Sequence, residues 1–72
     1  MKEKIYKLIN NYFWELGLNN RFNFYFDNQE VNIDILDQDL NIINSIYLEF
    51  ETFKQLKTDL YNRLENITHY YY

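Results

Sequence analysis

Three segments between residues 21 and 51 alternate strictly between apolar and polar side chains, which is the period of strands covered on one side only. Phenylalanine or aliphatic residues occupy one set of alternate positions, and the set between them is dominated by Asn, Tyr, Asp and Glu. Turn-forming residues separate the first two segments at 27–29, and the sequence LDQDLN separates the second from the third at 36–41. The pattern predicts a three-stranded antiparallel meander with one buried face and one open face.

Amphipathic helices are predicted on both sides of these strands. Residues 2–16 carry an apolar stripe at helical spacing, and Gly17 followed by Leu18 is typical of a Schellman ending. Thr52 and Gln55 match a capping box, after which a second apolar stripe runs over residues 53–67, and the final HYYY is expected to fray unless it docks. The chain is therefore predicted to be one α+β domain over residues 1–72, with the order α-β-β-β-α and both helices packed on the apolar face.

The size and composition limit how such a domain is stabilised. A core built from 72 residues is only marginally stabilising, and there is no Cys for a disulfide. Eight Tyr, six Phe and one Trp supply the large apolar areas instead. The absence of Cys is typical of a reducing compartment, and no segment has the length and apolarity of a signal peptide core or a membrane span. We expect a cytoplasmic protein that makes no membrane contact.

Charge is segregated along the chain. Residues 22–53 contain no Lys, Arg or His and have a formal charge of −7, whereas the remainder has seven basic and four acidic residues, a charge of +3. The acidic residues of the segment are Asp27, Glu30, Asp34, Asp37, Asp39, Glu49 and Glu51, and the basic residues outside it are Lys2, Lys4, Lys7, Arg21, Lys54, Lys57 and Arg63. Such segregation produces a local negative potential that attracts a basic partner.

The polar positions of the predicted strands place most of these carboxylates on the open face, interleaved with tyrosines. Tyrosine offers rigid apolar area and a hydroxyl group, and a carboxylate binds Arg in a bidentate manner. The candidate partner-binding residues are Tyr25, Asp27, Glu30, Asn32, Asp34, Asp37, Asp39, Tyr47, Glu49 and Glu51, with Asn23 beside them. Among them Asp34, Asp37 and Asp39 are expected to be the best phosphate substitutes. The alternative is a sheet face that is acidic only because it is solvated.

Trp14 lies opposite the apolar stripe of the first predicted helix, on the side of Lys7, Asn10 and Asn11. Two interpretations are open. In one the C-terminal tail of the chain covers the indole, and in the other the indole is an anchor for a partner.

The residues that enzymes use are scarce. The only His is His69, in the terminal tail, and the only Gly is Gly17, at a helix end, so there is no phosphate-binding loop or nucleophile elbow. Pairs of carboxylates on an open face would be solvated and would lack the enclosed pocket of an active site. The chain is predicted to have no enzymatic activity and no cofactor.

The second turn resembles part of a cation-binding loop. Asp37, Asp39 and Asn41 match the first half of a calcium-binding loop, but Ile42 stands where that loop needs Gly and Leu48 where it needs Glu. A polar turn is the favoured interpretation, with no metal site. The alternative is a weak surface site formed by Asp34, Asp37 and Asp39.

The element order, over the whole chain, resembles that of the double-stranded RNA-binding domain. RNA binding in that family depends on a basic cluster at the start of the second helix. The corresponding sequence here, ETFKQLK, contains only Lys54 and Lys57, just after Glu49 and Glu51. The resemblance implies the architecture without the activity, and no direct binding of nucleic acid is expected.

The chain also resembles small acidic inhibitors encoded by phages and mobile elements, notably anti-CRISPR proteins. The likeness is in length, absence of Cys, richness in Asn, Ile, Tyr and Lys, and the acidic run from Asp27 to Asp39. It implies a non-enzymatic inhibitor in the cytoplasm of the host bacterium. Such an inhibitor would bind the basic nucleic-acid-binding surface of a defence nuclease, such as a Cas effector, and compete with DNA or RNA. The alternative is a structural or assembly protein that self-associates through its acidic sheet and basic helices.

Overall fold

The computed structural model describes the backbone of residues 1–71 and the side chains of residues 1–68. Its elements in chain order are α1 (Lys2–Glu15), β1 (Arg21–Asp27), β2 (Glu30–Leu36), β3 (Ile42–Glu49) and α2 (Phe53–Tyr71). The strands form one antiparallel sheet in the order β1-β2-β3. The predicted α+β fold and its element order are confirmed.

Helix α1 ends as its sequence predicts. Gly17 has a φ of +72°, in the left-handed region that a residue without Cβ adopts at little cost. The amide of Leu18 donates to the Phe13 carbonyl at 2.8 Å and the amide of Gly17 donates to the Trp14 carbonyl at 3.2 Å, which is the hydrogen-bond pair of a Schellman motif. Leu18 is buried after this turn and directs the chain into β1.

Helix α2 begins at the predicted capping residues. The Gln55 amide donates to the Thr52 hydroxyl at 3.1 Å, and the Gln55 side-chain oxygen accepts from the Glu51 amide at 2.9 Å. The helix continues to Tyr71, beyond the predicted stripe. The side chains of residues 69–72, to which the fraying prediction applies, lie outside the described residues. Neither helix, within the described residues, has the length and apolarity needed to cross a membrane.

The core lies between the helices and one face of the sheet. Its fully buried side chains come from both helices and from the alternate positions of β2 and β3, and they are Ile5, Ile9, Val31, Ile33, Ile35, Ile46, Leu56, Leu60 and Leu64. Phenylalanines extend this layer over β1: Phe22 packs 4.9 Å from the ring of Phe13, and Phe26 stacks on Phe50 at 6.2 Å. The apolar set assigned from the alternation is therefore the set that the helices cover.

The two helices run parallel to each other. Lys4, in the first turn of α1, lies 4.6 Å from the ring of Phe53 at the start of α2, and Tyr12, two turns later, meets Tyr61 edge to face at 5.1 Å. The Phe50 amide bonds to Gln29 in the β1–β2 hairpin at 2.9 Å, three residues before α2 begins. Both helices therefore start at the hairpin end of the sheet.

The connection between β2 and β3 differs from the prediction. Strand β3 starts at Ile42 and ends at Glu49, so Glu51 lies after the strand and not within it. Leu36 pairs with Ile42 while Ile35 pairs with Asn44, so Ile43 is an extra residue that forms a bulge. The alternation fails here because a bulge shifts the phase of the side chains by one residue.

Candidate functional site

The face of the sheet turned away from the helices, here called the open face, is built of four rows of side chains across the strands. The strand registers place the three strands side by side, so residues directly opposite one another share a row. From the hairpin outward the rows are Asp27–Glu30–Glu49, Tyr25–Asn32–Tyr47, Asn23–Asp34–Ser45 and Arg21–Leu36–Ile42. The face thus changes from three carboxylates at the hairpin end to Leu36 and Ile42 beside the exposed Arg21 at the opposite end.

The first row places three carboxylates on adjacent strands, about 4.8 Å apart in backbone spacing. Glu30 lies directly opposite Glu49, a like-charge pair of the kind that destabilises a sheet. Glu51 extends the group into a shallow depression that it lines together with Asn28, Gln29 and Gln55. We call Asp27, Glu30, Glu49 and Glu51 the hairpin-end carboxylates; all four are exposed.

None of the hairpin-end carboxylates has an ion pair among the residues with described side chains. Within that part of the chain the ion pair present is Lys7 with Glu3 on the surface of α1, at 3.7 Å. An unpaired group of like charges raises the free energy of the folded state, and a cationic partner lowers it.

Tyr47 lies in the second row, next to the row of three carboxylates, and its pKa is shifted by two of them. Its hydroxyl donates to Glu49 at 3.0 Å. Partial desolvation, the hydrogen bonds to Glu30 and Glu49, and the negative charges of both raise the pKa of the Tyr47 phenol from 10.0 to about 12. At neutral pH the hydroxyl is therefore a hydrogen-bond donor held between two glutamates.

Asp34, in the third row, uses its carboxylate within the sheet. One oxygen accepts a hydrogen bond from the Ser45 hydroxyl at 2.8 Å and another from the side-chain amide of Asn32 at 3.5 Å. The side chain is half-buried. The Asp34 carboxylate, which was expected to be one of the best phosphate substitutes, therefore already accepts hydrogen bonds within the sheet.

The carboxylate of Asp37 accepts more hydrogen bonds than that of Asp34, and all of them lie within the β2–β3 turn. One carboxylate oxygen accepts from the amides of Asp39 and Asn41 at 2.9 and 2.8 Å, and the other accepts from the Asn41 side chain at 3.5 Å. Its backbone amide also donates to the Asn41 carbonyl at 2.9 Å. Asp37 therefore holds the turn together, while the side chain of Asp39 is exposed.

We call Asp34, Asp37 and Asp39 the turn-end carboxylates. The structure does not join them into a cation site: within the described residues, no three His, Cys, Asp or Glu side chains are arranged to hold a metal ion. The first residue of the half-match to a calcium loop, Asp37, instead caps two backbone amides of the turn.

Trp14 is 85% exposed on the outer side of α1. The side chains of the C-terminal tail, which one of the two interpretations places over the indole, lie outside the described residues. Trp14 belongs to the helix layer and is not on the open face with the carboxylates.

Sequence reasoning missed an apolar group at the turn end of the open face. Leu40, Ile42 and Ile43 are 55%, 61% and 51% exposed, and we call them the apolar corner. Leu36, opposite Ile42, is buried but does not belong to the core cluster. A signal was present in the sequence, because three aliphatic residues within four positions do not fit a polar turn.

The helix layer carries a second, basic and aromatic surface. A shallow groove between the parallel helices is lined by aromatic rings and by two lysines of the first turns of α2, and its residues include Tyr12, Phe53, Lys54, Lys57 and Tyr61. Burial raises the pKa of the Tyr12 phenol, as do the nearby Glu15 and Tyr61. Lys54 and Lys57 thus lie on the layer opposite to the hairpin-end carboxylates.

No protein-family model, curated protein or solved structure matches the chain.

Proposed function

We propose that this protein binds a basic, nucleic-acid-binding surface of another protein through its open face and excludes the nucleic acid by competition. The observation that carries the proposal is the row Asp27–Glu30–Glu49, three exposed carboxylates side by side with no ion pair among the described side chains. The site catalyses no reaction. The protein acts by occupying the surface that the nucleic acid would bind.

The spacing of the row supports mimicry of a phosphate backbone. Carboxylates on neighbouring strands are separated by roughly 4.8 Å. Phosphates of one DNA strand advance by about 3.4 Å along the helix axis, so the row presents negative charges at a spacing of the same order. A groove that neutralises phosphates with Arg and Lys would therefore also neutralise this row.

The second row suits the same kind of partner. Tyr25 and Tyr47 flank Asn32 and are both exposed. An aromatic ring beside a carboxylate contacts the guanidinium face and the methylene stem of an arginine while the carboxylate accepts its hydrogen bonds. Arginine is thus favoured over lysine as the principal residue of the partner surface.

The resemblance to small acidic anti-CRISPR inhibitors narrows the proposed target to a bacterial defence nuclease, with a Cas effector as the first candidate. In that setting the protein acts in the cytoplasm of the host bacterium. The geometry differs from the sequence-based expectation in one respect: the hairpin-end carboxylates, and not Asp34 and Asp37, form the centre of the proposed contact.

The proposal is tested by capture from a bacterial lysate with three immobilised proteins. These are the wild type, a hairpin-end variant (Asp27→Lys, Glu30→Lys, Glu49→Lys) and a control that reverses three exposed helix carboxylates (Glu3→Lys, Glu15→Lys, Glu65→Lys). Both variants change the net charge from −4 by the same six units. The wild type and the control are expected to capture nucleic-acid-binding proteins that added duplex DNA or RNA releases, and the hairpin-end variant is expected to capture none.

Equal loss of capture by the two variants would mean that net charge, not the open face, determines binding. Capture by the hairpin-end variant equal to that by the wild type would contradict the proposal directly. Circular dichroism of each bait establishes that the fold is intact.

Self-association is the second candidate function. The observation that favours it is the separation of charge between layers, with Lys54 and Lys57 in the helix groove and the carboxylates on the open face. Size-exclusion chromatography over a range of salt concentrations separates the candidates. An oligomer that dissociates at high salt supports assembly, whereas a monomer at every salt concentration supports the inhibitor.

A further inference from the structure

We infer that the open face recognises a partner segment with two parts, a basic cluster and an aliphatic anchor roughly 20 Å from it, and that the apolar corner is the seat of that anchor. The inference rests on the proposed function, because it assigns the basic cluster to the hairpin-end carboxylates. It goes further by naming a second contact, of a different chemistry, at the other end of the same face.

The first support is exposure in a chain that has little apolar material to spare. Leu40, Ile42 and Ile43 each expose more than half of their surface, although a domain of this size depends on every apolar residue for its core. Single exposed aliphatic residues are ordinary, whereas a group of three within four positions forms a patch of the kind found at interaction surfaces.

The second support is the backbone that presents them. Leu40 has a φ of +66°, a conformation that is uncommon for any residue but Gly and costly for a bulky one. The carboxylate of Asp37 holds the turn in this shape through two amide hydrogen bonds. The bulge at Ile43 further redirects the start of β3. A strained and well-held turn that displays a leucine is a feature that folding alone does not require.

The third support is the position of the corner relative to the charge. Ile42 pairs with Leu36, which lies six residues along β2 from Glu30. At roughly 3.3 Å per residue the two ends of the face are about 20 Å apart. The unpaired carboxylates at the hairpin end favour a cationic part of the partner. At the other end Ile42 lies in the row of the cation Arg21, and the exposed aliphatic side chains favour an apolar part. In a helical segment this distance corresponds to about 13 residues.

The test uses two synthetic peptides of identical composition and about 18 residues, a length set by the helical rise. In the block peptide four Arg lie at one end and three Leu at the other, and in the dispersed peptide the same residues alternate. Affinity is measured by fluorescence anisotropy for the wild type, for Ile42→Ser with Ile43→Ser, and for Leu40→Asn, which lies outside the strands and tolerates the positive φ. The hairpin-end variant is measured in parallel.

We expect the wild type to prefer the block peptide. The double Ile variant should lose about tenfold in affinity for it and Leu40→Asn a smaller factor, while both should bind the dispersed peptide as the wild type does. The hairpin-end variant should lose binding to both peptides.

Unchanged affinity of the corner variants for the block peptide, with loss in the hairpin-end variant, would overturn the inference and leave the proposed function standing. Failure of the wild type to bind either peptide would count against both. A wild type that sediments as a dimer, with Ile42→Ser and Ile43→Ser as a monomer, would show that the corner binds a second copy and would also overturn the inference.

Discussion

The seven acidic residues of the segment 22–53 are divided between the two ends of the sheet, and the two groups have different surroundings. At the hairpin end, three exposed carboxylates lie side by side and Glu51 follows the last strand. Glu49 accepts a hydrogen bond from the Tyr47 hydroxyl. At the turn end, Asp34 and Asp37 accept hydrogen bonds from groups of the sheet and the turn. The same residue types thus build the fold at one end and remain available to a partner at the other.

The comparison shows why a count of charges is a poor guide to a binding site. A carboxylate that accepts two amide hydrogen bonds is oriented by them, and a partner that takes it away destabilises the turn. A carboxylate opposite another carboxylate gains from neutralisation. The density of unsatisfied charge, rather than its total, identifies the hairpin end.

The largest effect is expected from Asp37→Ala. The substitution removes two hydrogen bonds to a charged acceptor that hold the exposed turn, which should lower the free energy of unfolding by about 1–3 kcal/mol. Asp27→Ala, at the hairpin end, should change it by less than about 0.5 kcal/mol. Urea unfolding followed by circular dichroism measures both. Equal destabilisation by the two substitutions would contradict the claim that the turn-end carboxylate stabilises the fold and the hairpin-end carboxylate does not.

A smaller effect of opposite sign is expected from Leu40→Gly. Glycine adopts the φ of +66° without the steric cost of roughly 1–2 kcal/mol that a bulkier residue meets in the left-handed region. Part of this gain is offset by the greater freedom of glycine in the unfolded chain, so stability should rise by about 0.5–1 kcal/mol. Leu40→Ala is the control, since it keeps the strain and should not stabilise. A loss of stability in Leu40→Gly would show that the leucine side chain, and not the strained backbone, dominates.

The smallest effect is expected at high pH, where Tyr47 reports on the hairpin end. Because its pKa is about 12 in the folded protein against 10.0 ordinarily, folding favours the protonated phenol between these values. Stability should therefore fall as pH rises through this interval, and it should fall less in Tyr47→Phe. Phenolate absorbance during a pH titration should show the Tyr47 pKa moving toward 10.0 in Glu49→Gln and not moving in Asp39→Asn. Equal shifts of the Tyr47 pKa in the two variants would mean that the neighbouring glutamates are not the source of the raised pKa.

Much of the fold could be predicted from the sequence because its signals are local and agree with one another. The Phe22, Phe24, Phe26 alternation gives the buried face of β1, Gly17 ends α1, and Thr52 with Gln55 begins α2. Each depends on neighbours within a few residues, and each is confirmed.

The candidate site could be predicted only in part, because it depends on pairing across strands. The sequence shows that Glu30 and Glu49 are acidic, but only the register shows that they lie opposite each other. It shows Asp37 in a turn, but not that its carboxylate is engaged by two amides. The bulge at Ile43 shifts the phase of β3, which is why the alternation does not place Ile42 and Ile43 in the third strand.

The most direct measurement compares two neutralised proteins, one at each end of the sheet: Asp27→Asn, Glu30→Gln, Glu49→Gln and Asp34→Asn, Asp37→Asn, Asp39→Asn. Both remove three charges and add none, and each is measured for urea unfolding and for affinity to the arginine-containing block peptide at low and high salt. We predict that the hairpin-end protein keeps or gains stability and loses its salt-dependent binding, whereas the turn-end protein loses stability and, at temperatures where it is folded, still binds. The reverse pattern, with binding lost at the turn end and stability lost at the hairpin end, would contradict the division of roles between the two ends.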